Sequence, residues 1–423
     1  MHKYIQDLLS FLDASPTSVQ ASYQISQRLD QLGFTELLET DPWNLTPGGK
    51  YYIRRETSVI AFVCGTSEPA ASGFHLAAAH IDSPALKIKP ESLKTDNGIT
   101  RVAVEVYGGP IISTWLDREL GIAGRVSVVR DGIAQSMPVD LGKAVAIIPN
   151  AAIHLNREVN NGFVYNKQTH LQAILQTTKA SGNPLVEAVA AQLGIETQQI
   201  AEMELFLYDF AKAALGGMDS SLIISGRLDN LAMSHAILSA ICATEDPHGT
   251  SVAVLYDHEE VGSETLQGAG SSMLSEVLER IALARGLNRE QYFRALRASF
   301  LISADMAHAY HPSYPEKYEP STAPAMNGGP VVKWNASSKY ASTAASSQLF
   351  SALCLEADVR QQKFVMRSDL LCGSTVGPIV SAQLGIPAVD VGNPLWAMHS
   401  IRETAGVQDH LAMIAVLTKY FLR

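Results

Sequence analysis

The sequence predicts an α/β protein: a mixed, mostly parallel sheet with helices on both faces, interrupted by an inserted β-rich domain. Three observations predict it. Apolar runs of strand length alternate with helical patterns over 1–92 and 223–423, as β-α-β architecture requires. Between 93 and 222 that alternation stops, and short strands broken by Gly and Pro turns take over. The 423 residues also exceed what one hydrophobic core usually serves.

Each element has its own signal. Residues 3–13 and 17–32 read as helices: Ile5, Leu8, Leu9 and Leu12 recur at helical spacing, and Ser15-Pro16 punctuates the join. Tyr51–Ile53 and Ser58–Val63 alternate as paired strands, and the small-residue run from Gly73 to His80 is a strand leading into Ile81-Asp82-Ser83-Pro84. In the inserted block, Val102–Val106, Gly124–Val129 and Val145–Ile148 read as short strands, with Asp131-Gly132 as a hairpin turn. Residues 184–194 read as a helix and Glu204–Tyr208 as a strand, and the block closes near Gly216-Gly217. Strands then follow at Ser221–Ser225, Ser251–Leu255, Leu301–Ala304, Lys363–Met366 and Ala388–Gly392. Helices are expected at Leu231–Cys242, 271–285, 289–299, 341–356, 375–383 and 407–421.

The composition is that of an ordinary globular protein, 47% hydrophobic and 17% charged. A net charge of −10 with no Lys/Arg run argues against nucleic acid and acidic membrane surfaces as partners. No apolar run approaches membrane-spanning length, and the N-terminus reads as an amphipathic helix rather than a signal peptide. Cys64, Cys242, Cys354 and Cys372 are scattered among apolar residues without a CxxC pair. That implies buried free thiols, a reducing compartment and a cytoplasmic protein.

The chemistry gathers where strands end. Val252–Leu255 is a buried, β-branched run that delivers Asp257, His258, Glu259 and Glu260. Burying adjacent carboxylates is costly unless a cation receives them, and open α/β sheets place their sites at this end of the strands. The alternative is a solvated acidic turn. His80, Asp229, Glu260, Asp305 and His399 each follow an apolar strand. Singly, each has a plain structural reading: a satisfied histidine, or a helix cap at Asp229. Together, two His and three carboxylates suit a pair of divalent ions about 3.5–4 Å apart, with an unligated carboxylate beside them. Glu259 and Glu260 point in different directions on a strand, so one ligates and the other handles the proton. Asp82, two residues after His80, faces the same side and fixes the imidazole tautomer, unless it merely makes an Asx turn before Pro84.

Five motifs in order now carry a resemblance. They are His80-Ile81-Asp82-Ser83-Pro84, Gly226-Arg227-Leu228-Asp229-Asn230, Asp257-His258-Glu259-Glu260-Val261-Gly262, Ser303-Ala304-Asp305-Met306-Ala307-His308-Ala309 and Ala397-Met398-His399-Ser400-Ile401-Arg402-Glu403. The chain resembles the aspartyl aminopeptidases, metallopeptidase family eighteen, most closely the bacterial members. The resemblance runs from the first helices to the C-terminus. It implies a zinc-exopeptidase fold and a two-zinc enzyme that removes N-terminal Asp or Glu from peptides. It implies that Asp229 bridges the metals, that His80 and Asp305 complete one ion and Glu260 and His399 the other. Glu259 is then the general base and Asp82 the orienter of His80. His154, in the inserted domain, matches a family histidine that reaches a neighbouring subunit's site and helps hold the substrate carbonyl. The other reading makes it a metal ligand with His80 and His399, and without the family it is a plain loop histidine. Lys333 matches the family's reader of the acidic side chain, against the reading of a solvated edge-strand Lys. Tyr340, Arg367 and Ser374 fall in segments resembling the pocket, and His308 and His311 follow Asp305 without being expected as ligands. The resemblance further implies a homododecamer, with the inserted domain making dimer contacts.

Two alternatives stand beside this reading. One is a neutral aminopeptidase or deacylase on the same scaffold. The other is a non-catalytic, metal-binding shell protein, which has no need of an unligated Glu259. His and carboxylate donors accept Zn2+, Mn2+ or Co2+, with Zn2+ the expected ion.

Overall fold

The structure, a computed structural model, describes residues 2–130, 132–178 and 182–423. A nine-stranded sheet forms its centre. The strands lie in the order Thr35–Glu36, Lys50–Arg55, Ser58–Val63, Thr250–Tyr256, Phe74–His80, Phe300–Ala304, Ala388–Gly392, Val331–Trp334 and Gln362–Val365. Five of its eight neighbouring pairs run parallel, including the central run from Thr250–Tyr256 to Ala388–Gly392.

Strand periodicity explains the two layers of helices. Val59, Ala61 and Val63 point to one face and Ile60 and Phe62 to the other, as do Ala253 and Leu255 against Val252 and Val254. The first face packs on helices Lys3–Ala14, Ser18–Gln31, Leu228–Cys242, Ala344–Glu356 and Val407–Phe421. The second packs on Met273–Ala284, Arg289–Ala298 and Val376–Leu384. The alanines of Phe74–His80 let helices approach closely on both sides, so this strand runs buried along almost its full length.

A seven-stranded antiparallel sheet with its own core lies between residues 85 and 209. Its first strand, Ala85–Ile88, precedes the expected start of the inserted block at 93 yet pairs with Ile99–Tyr107 and Ile200–Asp209. Val145–Ile148 is not a strand. The segment makes single bridges from Ala146 to Leu120 and from Ile147 to Ile174, because it crosses between two strand edges instead of following either. Strands Leu120–Arg130 and Ile133–Asp140 do pair as a hairpin, but Asp131 of the expected turn lies outside the described residues. A third sheet of five short strands joins Ala214–Gly216, Leu222–Ser225, Glu403–Gly406, Pro394–Trp396 and Ala307–His308. Of the four free cysteines, Cys64 and Cys354 are buried, while Cys242 and Cys372 are only partly so. Among the described residues, no helix is long and apolar enough to cross a membrane.

Candidate metal centre

Three adjacent parallel strands deliver the first residues of the site. Phe74–His80 ends on His80, Thr250–Tyr256 runs into Glu259 and Glu260, and Phe300–Ala304 is followed by Asp305. Asp229 enters from the third sheet, at the start of helix Leu228–Cys242. The dihedrals there (φ −82°, ψ 105°) are not helical, so its side chain turns towards the pocket instead of capping the helix. His399 follows Pro394–Trp396. Glu259 and Glu260 lie on a 3-10 turn, Glu259–Val261, rather than on the strand itself, and both line the same cavity instead of pointing apart as a strand would place them.

These residues converge. His80, Asp229 and Asp305 offer ligand atoms all within 4.8 Å of one another, and so do Asp229, Glu260 and His399. Asp229 belongs to both groups. A third such group is His80, Glu259 and Glu260. His80 Nε2 lies 3.6 Å from Asp229 Oδ1, 3.9 Å from Glu259 Oε2 and 4.0 Å from Asp305 Oδ1. His399 Nε2 lies 3.4 Å from Asp229 Oδ2 and 3.3 Å from Glu260 Oε1.

Both imidazoles are oriented by their other nitrogen. His80 Nδ1 donates to the backbone carbonyl of Asp82 at 3.1 Å and lies 3.3 Å from its Oδ1. His399 Nδ1 donates to the carbonyl of Gly109 at 3.1 Å. Each ring thereby presents Nε2 to the carboxylates. Asp82 also accepts the N–H groups of Glu259 and Glu260 at 3.2 and 3.1 Å, and the Tyr107 hydroxyl at 2.7 Å. It thus ties the His80 strand to the two glutamates. Gly392 is required beneath Asp305: a Cβ there would lie 1.7 Å from the Asp305 carbonyl oxygen.

The electrostatics call for positive charge. Burial pushes Glu259 up to about 7 and Asp305 up to about 6, and raises Glu260 well above its ordinary range with the help of Asp229. Burial opposes charge on His80. The hydrogen bond to Asp82 and the surrounding carboxylates outweigh it and hold its pKa well above the ordinary value. Asp229 Oδ1 and Glu260 Oε1 are buried with no hydrogen-bond partner. Orphaned carboxylate oxygens facing imidazole nitrogens fit divalent cations bound by N and O donors, zinc among them.

The cavity over these residues has a volume of about 320 Å3. Lys333, Tyr340, Phe364, His308, Ser374 and Met398 also line it. Lys333 is 3% exposed, which removes the reading of a solvated edge residue. Its Nζ donates to the Met306 carbonyl at 2.8 Å, lies 3.9 Å from Asp305 Oδ1 and sits 5.3 Å from the centre of the Tyr340 ring. Burial, with Lys333 nearby, pushes His308 down to about 4, so this histidine is neutral. His154 lies elsewhere, exposed on the second domain and outside the lining of this cavity. Arg367 pairs with Asp369, and His311 packs against Tyr314 and Trp396.

Sequence reasoning missed Tyr107, Gly109 and Glu403. Glu403 stands inside a quoted motif, four residues after His399. Tyr107 and Gly109 carry no local signal, because only the packing of the second domain brings them here.

The sequence matches the family described as Aminopeptidase I zinc metalloprotease (M18) over residues 11–421. A probable M18 family aminopeptidase 2 of Clostridium novyi (strain NT) is 42% identical over 426 residues, covering 99% of this chain and 98% of the relative. A chain from a cryo-EM structure of the Ape4 and Nbr1 complex matches with a TM-score of 0.95 at 35% identity, over 99% of this chain and 85% of that one. A chain of the S. cerevisiae mApe1 dodecamer matches with a TM-score of 0.86 at 27% identity, over 99% and 96% of the two chains. The chain therefore belongs to the M18 family of zinc metalloaminopeptidases, hydrolases that act on peptide bonds.

Proposed function

We propose that this aminopeptidase removes acidic N-terminal residues, Asp or Glu, from peptides. The observation that carries the proposal is Lys333, a buried ammonium on the wall of the cavity that also holds the ligand groups. An ammonium taken out of water needs anionic partners, and Asp305 at 3.9 Å supplies only part of what it lost. A substrate carboxylate would supply the rest, with Tyr340 shaping the wall beside it.

In this reading Asp229 would be shared between two ions, His80 and Asp305 would hold one, and Glu260 and His399 would hold the other. The bound pair would polarise the scissile carbonyl and acidify a water. Glu259, left unligated, takes a proton from the attacking water and returns it to the leaving amine. Asp82 keeps His80 in the tautomer that presents Nε2. The exposed His154 serves a neighbouring subunit's site, where it holds the carbonyl oxygen. That role needs an assembly. A dodecamer like that of S. cerevisiae mApe1 would provide it, with the second domain, 93–222 as expected from sequence, making dimer contacts. A separate core supports such a unit, but it begins at Leu86 and takes in Ile401, so the unit starts before 93. The free cysteines support a reducing, cytoplasmic setting.

The test is the purified protein assayed on a panel of aminoacyl amides with and without chelator. Faster release of Asp and Glu than of Leu or Ala, abolished by chelator, is the expected result. Preference for neutral residues would favour a neutral aminopeptidase.

A further inference from the structure

Glu403 is 2% exposed and takes no part in the roles assigned above. It opens the strand Glu403–Gly406, whose antiparallel pairing sets it opposite Ser225. Its Oε2 accepts the backbone N–H of Asp229 at 2.9 Å, and its Oε1 accepts the backbone N–H of His399 at 2.7 Å. The two donors are the residues whose side chains meet across the pocket, His399 Nε2 to Asp229 Oδ2 at 3.4 Å.

Strand pairing does not account for these bonds. A strand ladder joins backbone to backbone, whereas here one side chain gathers amides from two separate segments. Both segments need holding. His399 and Ala397 sit at φ 69° and 57°, and Arg227, two residues before Asp229, at φ 61°. Residues with side chains rarely adopt this left-handed region. The segments also touch with no room to spare: a Cβ on Gly226 would lie 2.6 Å from the Ile401 carbonyl oxygen. Bonds accepted by both oxygens of a single carboxyl group fix two backbones relative to each other, which two independent bonds would not.

We propose that Glu403 is a positioning residue, clamping the backbones of Asp229 and His399 so that their side chains converge on one cation. The proposal rests on the two-cation reading above. His399 serves only the ion shared with Glu260, so loss of the clamp weakens that ion more than the one at His80 and Asp305.

The test is zinc binding to the full-length protein, measured by chelator competition, beside thermal unfolding of the metal-free form. Wild type should hold two zinc ions per subunit. Glu403→Gln keeps the shape but turns an N–H donor towards one amide. It should weaken one ion by about ten- to hundred-fold, leave the other within a few-fold, and leave metal-free unfolding close to wild type. Cobalt loaded in place of zinc should show the altered site as a changed absorption spectrum. If Glu403→Gln does not fold, Glu403→Asp, one methylene short, should give the same selective loss. Two ions held as in wild type overturn the clamp, as does equal weakening of both together with a destabilised metal-free protein. Failure of both variants to fold assigns Glu403 to the fold and overturns it too. Fewer than two ions on the wild type would instead remove the two-cation reading.

Discussion

Replacing Lys333 by Met separates acid recognition from everything else this residue does. Met keeps the length of the stem and removes the charge. In the structure Lys333 Nζ faces two ways, to the Met306 carbonyl at 2.8 Å and to Asp305 Oδ1 at 3.9 Å, while lining the cavity. Loss of the Asp305 contact affects every substrate alike, because Asp305 belongs to the centre and not to the substrate. Loss of a charge-assisted bond to the substrate carboxylate affects only Asp and Glu peptides. Such a bond contributes about 1.5–3 kcal/mol net. At about 1.36 kcal/mol per factor of ten, the ratio of kcat/KM for Asp-peptide to that for Leu-peptide should fall roughly ten- to hundred-fold. The assay is kcat/KM on matched Asp-, Glu-, Leu- and Ala-peptides, with metal content measured in parallel. If both classes of substrate lose activity equally while metal content holds, Lys333 supports Asp305 and does not read the substrate.

Three further outcomes follow from other parts of the structure. Glu259→Gln should keep metal content and unfolding temperature while lowering kcat by about 10^2–10^4-fold, as loss of a general base does; near-normal turnover would place the base elsewhere. Gly392→Ala puts a methyl against the Asp305 carbonyl, so the variant should lose about 1–3 kcal/mol of stability and hold metal more weakly, read by denaturant titration and metal analysis. His75 is held down to about 4, first by burial and then by Arg423 and His248, against an ordinary 6.5. Between these values the unfolded chain binds the extra proton, so stability should fall as pH drops from 6.5 to 4, by at most about 3 kcal/mol. His75→Gln should flatten that part of the stability profile, and an unchanged slope would acquit His75.

Much of the site was legible in the sequence because an open α/β sheet has a simple rule. Parallel strands end on one edge, so a metal-capable residue after each apolar run marks that edge. His80, Glu260 and Asp305 obey the rule directly. Asp229 and His399 come from the short strands of the third sheet, which run two to four residues and are too brief for alternation to reveal. Each still follows an apolar run and was marked as a candidate on that ground, but their entry from a different sheet was not legible. Lys333 was legible as a polar residue in an apolar strand, but its contact with Asp305 was not, since that depends on which strands become neighbours. Val145–Ile148 carried a strand's composition and failed to become one because it crosses from one strand edge to another, with a single bridge to each. Tyr107 and Glu403 show the general limit. Tyr107 bonds Asp82 and Glu403 bonds Asp229, each far away in sequence, through hydrogen bonds that exist only once separate segments have packed.

Anomalous diffraction at the zinc edge from crystals of the zinc-loaded protein would decide the matter. Two peaks about 3.5–4 Å apart are expected, both within about 2.0–2.2 Å of Asp229 oxygens. His80 and Asp305 should complete one and Glu260 and His399 the other, with Glu259 bound to neither. A single peak, or Glu259 bound to either ion, would contradict the account.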